Sequence, residues 1–336
     1  MARKAKPVSI SSIAAELGIS ASAVSRAINN RAGVSEETRR RVGMLLDKYQ
    51  FRPTYPASRL PRLAILTASA GIGGYAASVL SGINRCVGEG NISAAMIVVP
   101  PEARGKLLDL VRDQQCSGIV LVVPAGFAAE YPMLSESGLP VMLIDETAEV
   151  PGTGYVDNDS YSGSLEAARH LIALGHREIG YIACGPQTSN HRDRFLAYKA
   201  ALAEAGIGFD PARIVSEASG HGTMETGFDA MRRLLSCGVP LTAVMTTNDE
   251  FALGALSAAR SAGIRVPEEL SVVGFDDNEF AAFTDPPLTT VRHESEQAGY
   301  LAARAVDEFL RNHTPLPRRI LRTRLIVRRS SGPAPR

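Results

Sequence analysis

Gly18-Ile19-Ser20-Ala21-Ser22-Ala23-Val24-Ser25-Arg26-Ala27-Ile28-Asn29 decides how the first sixty residues read. Gly18 is positioned to stop one helix, since glycine adopts the left-handed backbone that ends helices, and Ser20 is positioned to cap the start of the next. Within that second helix Ile19, Val24 and Ile28 form an inner face and leave Ala21, Ser22, Ser25 and Arg26 outward. Upstream, Ile10, Ile13, Ala14 and Leu17 fall at helical spacing behind Ser9 as N-cap. Downstream, Val34-Ser35-Glu36-Glu37-Thr38 begins a third, serine-capped helix, with Val42, Leu45, Leu46 and Tyr49 turned toward the first two. Two short helices joined by a tight glycine turn are the helix-turn-helix arrangement, and three helices in about fifty residues can just close a core.

Charge separates this end from the rest. The whole chain of 336 residues is nearly neutral at +1, yet Met1 to Arg62 holds 12 Lys and Arg against 4 Asp and Glu, a surplus of 8, leaving 24 against 31 elsewhere. A small basic module on a larger acidic one predicts a polyanion partner for the first only. With 45% hydrophobic and 21% charged residues the composition is that of an ordinary globular protein, which excludes collagen, coiled coil and disorder. The longest apolar stretch, Gly118 to Val123 before Pro124, is far below the roughly 20 residues of a membrane helix. The opening Met-Ala-Arg-Lys-Ala-Lys-Pro is basic but lacks a following apolar segment, so no export signal is read. Cys86, Cys116, Cys184 and Cys237 are far apart, with no CxxC pair, so neither a zinc cluster nor a disulfide framework is expected, and a reducing cytoplasm is the expected location.

From Leu63 onward, apolar runs alternate with amphipathic segments. Leu63–Leu66, Ala94–Val99, Ile119–Val123 and Val141–Ile144 read as parallel strands buried on both faces. A second series follows at Ile179–Ala183, Ala243–Met245 and Ser271–Phe275. Two consecutive βα series predict two doubly wound α/β lobes with a ligand cleft beyond the strand ends, between the lobes. Catalytic signatures are missing: the sequence has no GxxxxGK[ST] phosphate loop, no GxSxG elbow and no HExxH, and Gly71-Ile72-Gly73-Gly74 lacks dinucleotide-loop spacing. The expectation is a protein without enzymatic activity, and no cofactor is expected.

The order and spacing of the N-terminal pieces resemble the headpiece of the LacI/GalR family of bacterial transcription regulators. The matching text runs from Val8-Ser9-Ile10 through Val24-Ser25-Arg26 and Val34-Ser35-Glu36-Glu37-Thr38-Arg39 to Tyr49-Gln50-Phe51-Arg52-Pro53. Val156-Asp157-Asn158, His170 to His176, Tyr198 to Leu202, Thr247-Asn248-Asp249-Glu250, Val266 to Asp277 and Pro286 to Val291 resemble the same family's effector-binding core. The resemblance implies residues 1–52 as DNA-binding headpiece, 53–61 as hinge segment and 62–330 as a two-lobed core like that of periplasmic sugar-binding proteins. The last strand, near Arg322 to Val327, is then expected to return to the first lobe. The implied function is a sequence-specific DNA-binding regulator, a repressor, acting as a homodimer on double-stranded operator DNA.

On that resemblance the second helix enters the major groove, with Ala21, Ser22 and Arg26 at base-reading positions. Arg26 can bond guanine O6 and N7 together, whereas Ala21 can only touch a thymine methyl. Ser9, Ser25 and Asn29 fall near helix ends, where phosphate contacts position without specifying. Ala23 departs from the usual threonine, which puts one backbone contact in doubt. Thr54-Tyr55-Pro56-Ala57-Ser58-Arg59-Leu60-Pro61 aligns with the family's hinge helix, Ala57 and Leu60 matching its minor-groove residues. The link from Leu60 to the first strand is about five residues shorter than is usual, up to roughly 17 Å of reach. Leu60 as an interdomain packing residue is the alternative, and a ligand sensor whose headpiece no longer discriminates sequence is the alternative for the whole chain.

For the effector, Arg194 matches the family's cleft arginine, although Ala197 replaces a usual glycine; its guanidinium suits a carboxylate, a phosphate or a vicinal hydroxyl pair. Asn248, Asp276 and Asp145 each follow an apolar strand and are expected to face the cleft as hydroxyl acceptors, with helix capping or turn formation as their alternative roles. Tyr75 offers an apolar face with a polar tip, and His191 and His221 are further candidate contacts. Ala218 to Thr223 lacks the aromatic platform that a purine would stack on, which points to a sugar, a sugar acid or another small polar effector.

Overall fold

A computed structural model describes residues 10–28, 34–49, 60–67, 74–100, 105–122, 127–184, 188–217 and 223–335. The chain divides into two compact units, Met1–Leu60 and Pro61–Arg336.

In the first unit, α1 (Ile10–Leu17), α2 (Ala21–Ile28) and α3 (Glu36–Lys48) occupy the three expected positions. Gly18 ends α1 at φ +66°, the Ser20 hydroxyl accepts from the Ala23 amide, and the Ser35 hydroxyl accepts from the Thr38 amide. Ile13, Ala14, Val24 and Val42 are the buried centre, flanked by Leu17, Ile19, Ala27, Leu45 and Leu46. Tyr49 lies at the edge of this core, its hydroxyl donating to Glu16 at 2.8 Å while Lys48 pairs with the same carboxylate.

The second unit opens with β1 (Arg62–Thr67), α4 (Gly74–Gly88), β2 (Ser93–Val98), α5 (Leu107–Asp113), β3 (Gly118–Val122), α6 (Tyr131–Glu136), β4 (Val141–Ile144) and β5 (Thr153–Asn158). It continues with α7 (Ser160–Ala173), β6 (Ile179–Cys184), α8 (Ser189–Glu204), β7 (Ile214–Glu217), α9 (Met224–Ser236), β8 (Ala243–Thr246), α10 (Asp249–Ser261) and β9 (Ser271–Val273). It closes with β10 (Thr290–Arg292), α11 (Ser295–Asn312), β11 (Arg318–Leu321) and β12 (Arg324–Ile326). Among the described residues two parallel sheets form, in the orders β11-β5-β4-β3-β1-β2 and β7-β6-β8-β9, with β10 and β12 paired antiparallel as a separate ribbon. Each sheet is the heart of one lobe.

Two expectations are corrected. The strand that returns to the first lobe is Arg318–Leu321, paired with β5, whereas Arg324–Ile326 pairs with β10. The run Ala94–Val99 is an edge strand, with Met96 49% and Val98 39% exposed, because β1 covers only one of its sides. Apolar continuity alone does not distinguish an edge from a centre.

Glycines let the helices meet. A methyl built on Gly82 of α4 would come within 1.8 Å of the Glu296 carbonyl, and one on Gly299 of α11 within 2.0 Å of the Val79 carbonyl. This close crossing seats α11, with Ala298, Ala302, Ala303 and Val306 buried, on the first lobe's core. The chain thus passes between lobes three times, after β5, after β10 and after β11. Hydrogen bonding to the second lobe runs past residue 330: Val272 exchanges bonds with Ser330, and Gly332 meets His176 and Ser271.

Candidate functional site

Asp145, Asp157, Asn248 and Asp276 stand at or just beyond the C-terminal ends of β4, β5, β8 and β9, and α8 follows β6, the place where doubly wound sheets gather ligands. The Thr188 hydroxyl caps α8 by accepting from the His191 amide, which sets Asn190 and Arg194 one turn apart on the same face. Both are buried, Arg194 at 5% exposure. Arg194 donates to the Thr247 carbonyl at 2.6 Å and to the Ser160 hydroxyl at 3.4 Å, lies 3.6 Å from Asp276 and stacks 3.7 Å over the Phe275 ring. His293 approaches the same Asp276 oxygen at 3.1 Å and contacts the rings of Tyr75 and Phe275, with centroids at 5.2 and 5.8 Å. Asp276 is therefore flanked by a guanidinium and an imidazole in a wall of aromatic faces.

The first lobe contributes acceptors. The Asn190 amide donates to Asp145 at 2.6 Å and to Asp157 at 2.9 Å, bridging the two lobes, while its own carbonyl oxygen is buried without a hydrogen-bond partner. Neither side-chain polar atom of Asn158, nor Nδ1 of His293, has a partner. Buried polar groups left unpaired carry a free-energy cost that a ligand with hydroxyls removes.

Burial pushes the Asp145 carboxyl up, against the pull of Arg194 and His293. Asp157 is raised by burial and by Asp145 to about 7, and Glu250, raised by burial and by Asp276, also to about 7. Burial, then Asp145, pushes the Tyr75 phenol well up, and burial followed by Asp276 does the same to Asp249. Asp249 is structural: it accepts from Thr290 at 2.5 Å and from the Asn278 amide at 2.9 Å. Glu250 reaches across to the first lobe, accepting from the Gly74 amide at 3.3 Å.

A hollow of about 330 Å³ adjoins this cluster, lined by Gly74, Tyr75 and Ser78 of the first lobe and by Asp276, Asp277 and His293 among others. A larger hollow, about 770 Å³, is a broad surface depression on the flank of β7 and α9, lined by Glu217, Arg233 and Cys237 among others. It lacks the buried unpaired atoms of the cleft apart from one Glu217 oxygen, which lies against Arg233.

Of the residues expected from sequence, the structure gathers Tyr75, Asp145, Arg194 and Asp276. Asn248 is committed to capping α10, its carbonyl oxygen accepting from the Phe251 amide at 2.9 Å while its amide donates to Glu250. His191 sits half-buried on the first turn of α8. His221 lies outside the described residues, as do Ser9, Asn29 and Ala57. Of Ser22, Ser25 and Arg26 only the backbone, within α2, is described; Ala21 is exposed at its start, and Leu60 is 42% exposed. Sequence reasoning missed Asp157, Asn190 and His293. The one-turn spacing of Asn190 to Arg194 was the available signal for Asn190.

Comparison with known proteins agrees with the fold. Residues 9–54 match the family described as bacterial regulatory proteins, lacI family, and residues 168–331 match the periplasmic binding protein-like domain. The HTH-type transcriptional regulator MalR of Streptomyces coelicolor is 30% identical over 340 residues, covering 97% of each chain. Among solved structures, the transcriptional regulator CelR–cellobiose complex superposes with a TM-score of 0.74 at 28% identity, covering 96% of this chain and 100% of that one. The lac repressor dimer bound to operator, at 23% identity and a TM-score of 0.73 over 97% of this chain and 100% of that one, shares the fold. A helix-turn-helix unit and a periplasmic binding protein-like core in one chain define a DNA-binding transcriptional regulator. The chain belongs to the lacI family of bacterial regulatory proteins, which are transcriptional regulators and not enzymes.

Proposed function

We propose that this protein is a repressor that binds a pseudo-palindromic operator as a homodimer and whose affinity is set by a neutral sugar held between its lobes. The observation that carries the ligand class is the excess of carboxyl groups and unpaired polar atoms in the cleft: Asp145, Asp157 and Asp276 gather around one arginine, Arg194, which already donates through Nη1 to the Thr247 carbonyl and through Nε to the Ser160 hydroxyl, and Glu250 lies near Asp276. Burial holds Asp145, Asp157 and Glu250 toward their protonated forms, and an added carboxylate or phosphate would have to be buried beside them, which disfavours a sugar acid, whereas sugar hydroxyls accept from such carboxyl groups and donate to Asp276 and to the free Asn190 oxygen. The cellobiose in the CelR complex is a neutral sugar of this kind.

In the headpiece, Arg26 with Ala21 and Ser22 reads bases, and Ser9, Ser25 and Asn29 hold phosphates. Ala57 and Leu60 act in the minor groove. The protein works in the cytoplasm, where operator DNA is. The exposed Phe280 and Phe283, the latter 87% exposed, continue the loop that carries Asp276 and give a second copy an apolar surface to cover. The cleft is tested by thermal unfolding with neutral sugars, including cellobiose and ribose, and with the matching sugar acids. A rise in Tm with a neutral sugar and none with its acid supports the reading; stabilisation by the acids alone overturns it.

A further inference from the structure

Asp277 follows the cleft residue Asp276 and, with Arg292, borders the hollow beside the cleft, yet its carboxylate is turned to two arginines. Its side chain is 3% exposed and bound on both oxygens: one accepts from Nε of Arg292, the other from Nη2 of Arg328 at 2.6 Å. Arg292 ends β10, just before the chain crosses to α11, and Arg328 follows β12, just after the chain has come back from β11. One carboxylate therefore ties together two of the three interlobe passages. Arg328 also donates to the Leu288 carbonyl at 2.8 Å, which anchors that arm in the second lobe.

The same residue holds a strained turn. Asp276 has φ +124° and Asp277 φ +54°, two consecutive non-glycine residues in backbone regions that L side chains rarely adopt. Such a turn persists only where its surroundings overdetermine it. Here the Asp277 amide donates to Thr290, the Asp276 amide to the Val291 carbonyl, and the two arginines hold the Asp277 carboxylate. The product is the direction of the Asp276 side chain, 3.6 Å from Arg194 and 3.1 Å from His293.

We infer that Asp277, through its Arg292 and Arg328 clamp, is the positioning residue that aims Asp276 into the cleft and makes that aim depend on the geometry of the crossovers. A movement of the lobes displaces Arg292 and Arg328, and with them the turn that presents Asp276. The inference about effector affinity rests on the cleft reading above; the inference about position does not, and the test separates them.

The position is read without any ligand from the ring signal of His293, assigned among six histidines in protein labelled at histidine Cε1 by its loss in His293→Gln. Asp276→Asn defines the displacement caused by removing the partner charge. Asp277→Asn is expected to displace the His293 signal, and to displace it no further on an Asp276→Asn background, because a residue acting through another is non-additive with it. Arg292→Lys, at a half-exposed site that tolerates change, is expected to move the signal the same way by less, and it carries the test if Asp277→Asn fails to fold. An unmoved signal in both variants, or a displacement that adds in full to that of Asp276→Asn, overturns the inference. In the second arm, any neutral sugar that raises the wild-type Tm is titrated: at least a tenfold loss of affinity in Asp277→Asn with far-UV circular dichroism unchanged is expected, and unchanged affinity overturns the coupling to the effector. If no sugar raises the wild-type Tm, the ligand reading fails while the His293 signal still decides the positioning role.

Discussion

Arg194 and Asp276 show how a buried ion pair becomes a recognition element. The guanidinium is held by a carbonyl, a hydroxyl and the face of Phe275, so it neutralises Asp276 from a fixed direction. Removing one member of such a pair leaves the other buried and unpaired, at a cost of about 3–5 kcal/mol. Arg194→Ala is expected to lower stability by about that range, measured by urea unfolding, and Arg194→Met combined with Asp276→Asn to recover most of it. A second residue-scale effect comes from Asp157. Its carboxyl is raised to about 7, so the folded protein binds this proton more tightly than the unfolded chain does. The contribution is complete below the ordinary carboxylate range near pH 4 and is lost as the pH rises through 7. The urea midpoint of the effector-free protein is expected to fall as the pH rises from about 4 to 7 and to level off above, and Asp157→Asn to flatten that fall, with Glu250, Asp145 and Asp249 contributing in the same direction.

Elements carry the cleft because helix pairs cross closely enough to fix strand ends. With Glu296 O in the path of any Cβ at position 82, Gly82→Ala must push α4 from α11, and overpacking of this kind costs about 1–3 kcal/mol. The expected outcome is a lowered Tm with the helix-turn-helix unit unaffected, read by circular dichroism and by headpiece amide signals. The C-terminal segment beyond β12 is a second element-scale feature. His176 is fully buried with Nδ1 2.9 Å from the Thr242 hydroxyl and Nε2 3.0 Å from the Gly332 carbonyl, so Nε2 carries the proton on a neutral ring. Burial lowers its pKa, so this contribution is complete above about pH 6.5, the unfolded value, and lost as the pH falls below it. Hydrogen-exchange protection of the Gly332 and Ala334 amides is expected to drop on going from pH 7 to 5.5; protection independent of pH would remove the histidine from the account. Legibility in the sequence followed the same division. Glycine stops, serine caps and apolar runs are local signals, and they locate the three headpiece helices and seven of the nine strands between Leu63 and Phe275 within about two residues, whereas β5 and β7, which lack a long apolar run, are not read. Strand order is set by pairing across the chain, which is why the edge position of β2 and the return of Arg318–Leu321 were not legible. In the cleft, Arg194 and Asp276 stood out by type and place, whereas His293 reaches Asp276 from a crossover, a juxtaposition that no spacing encodes.

The whole molecule joins a basic helix-turn-helix unit to an acidic two-lobed core, and the charge division has a purpose for a DNA-binding protein. The surplus of 8 positive charges before Leu63 supplies the salt-sensitive attraction to phosphates, while the acidic remainder keeps the core from binding DNA without sequence preference. On the proposed reading, a sugar alters DNA affinity only by the difference in its affinity for the two arrangements of the core. The short link between Leu60 and β1 is where that arrangement would reach the headpiece. Selection of genomic DNA fragments by the purified protein at fixed near-physiological salt tests directly whether it is a sequence-specific repressor released or recruited by a neutral sugar. The selection is repeated with each sugar of the panel. A palindromic motif bound at least roughly 10³-fold over other DNA, whose recovery changes with one neutral sugar, is expected. Recovery of DNA without any motif, at every sugar, would contradict it and leave a ligand sensor whose headpiece holds DNA by charge alone.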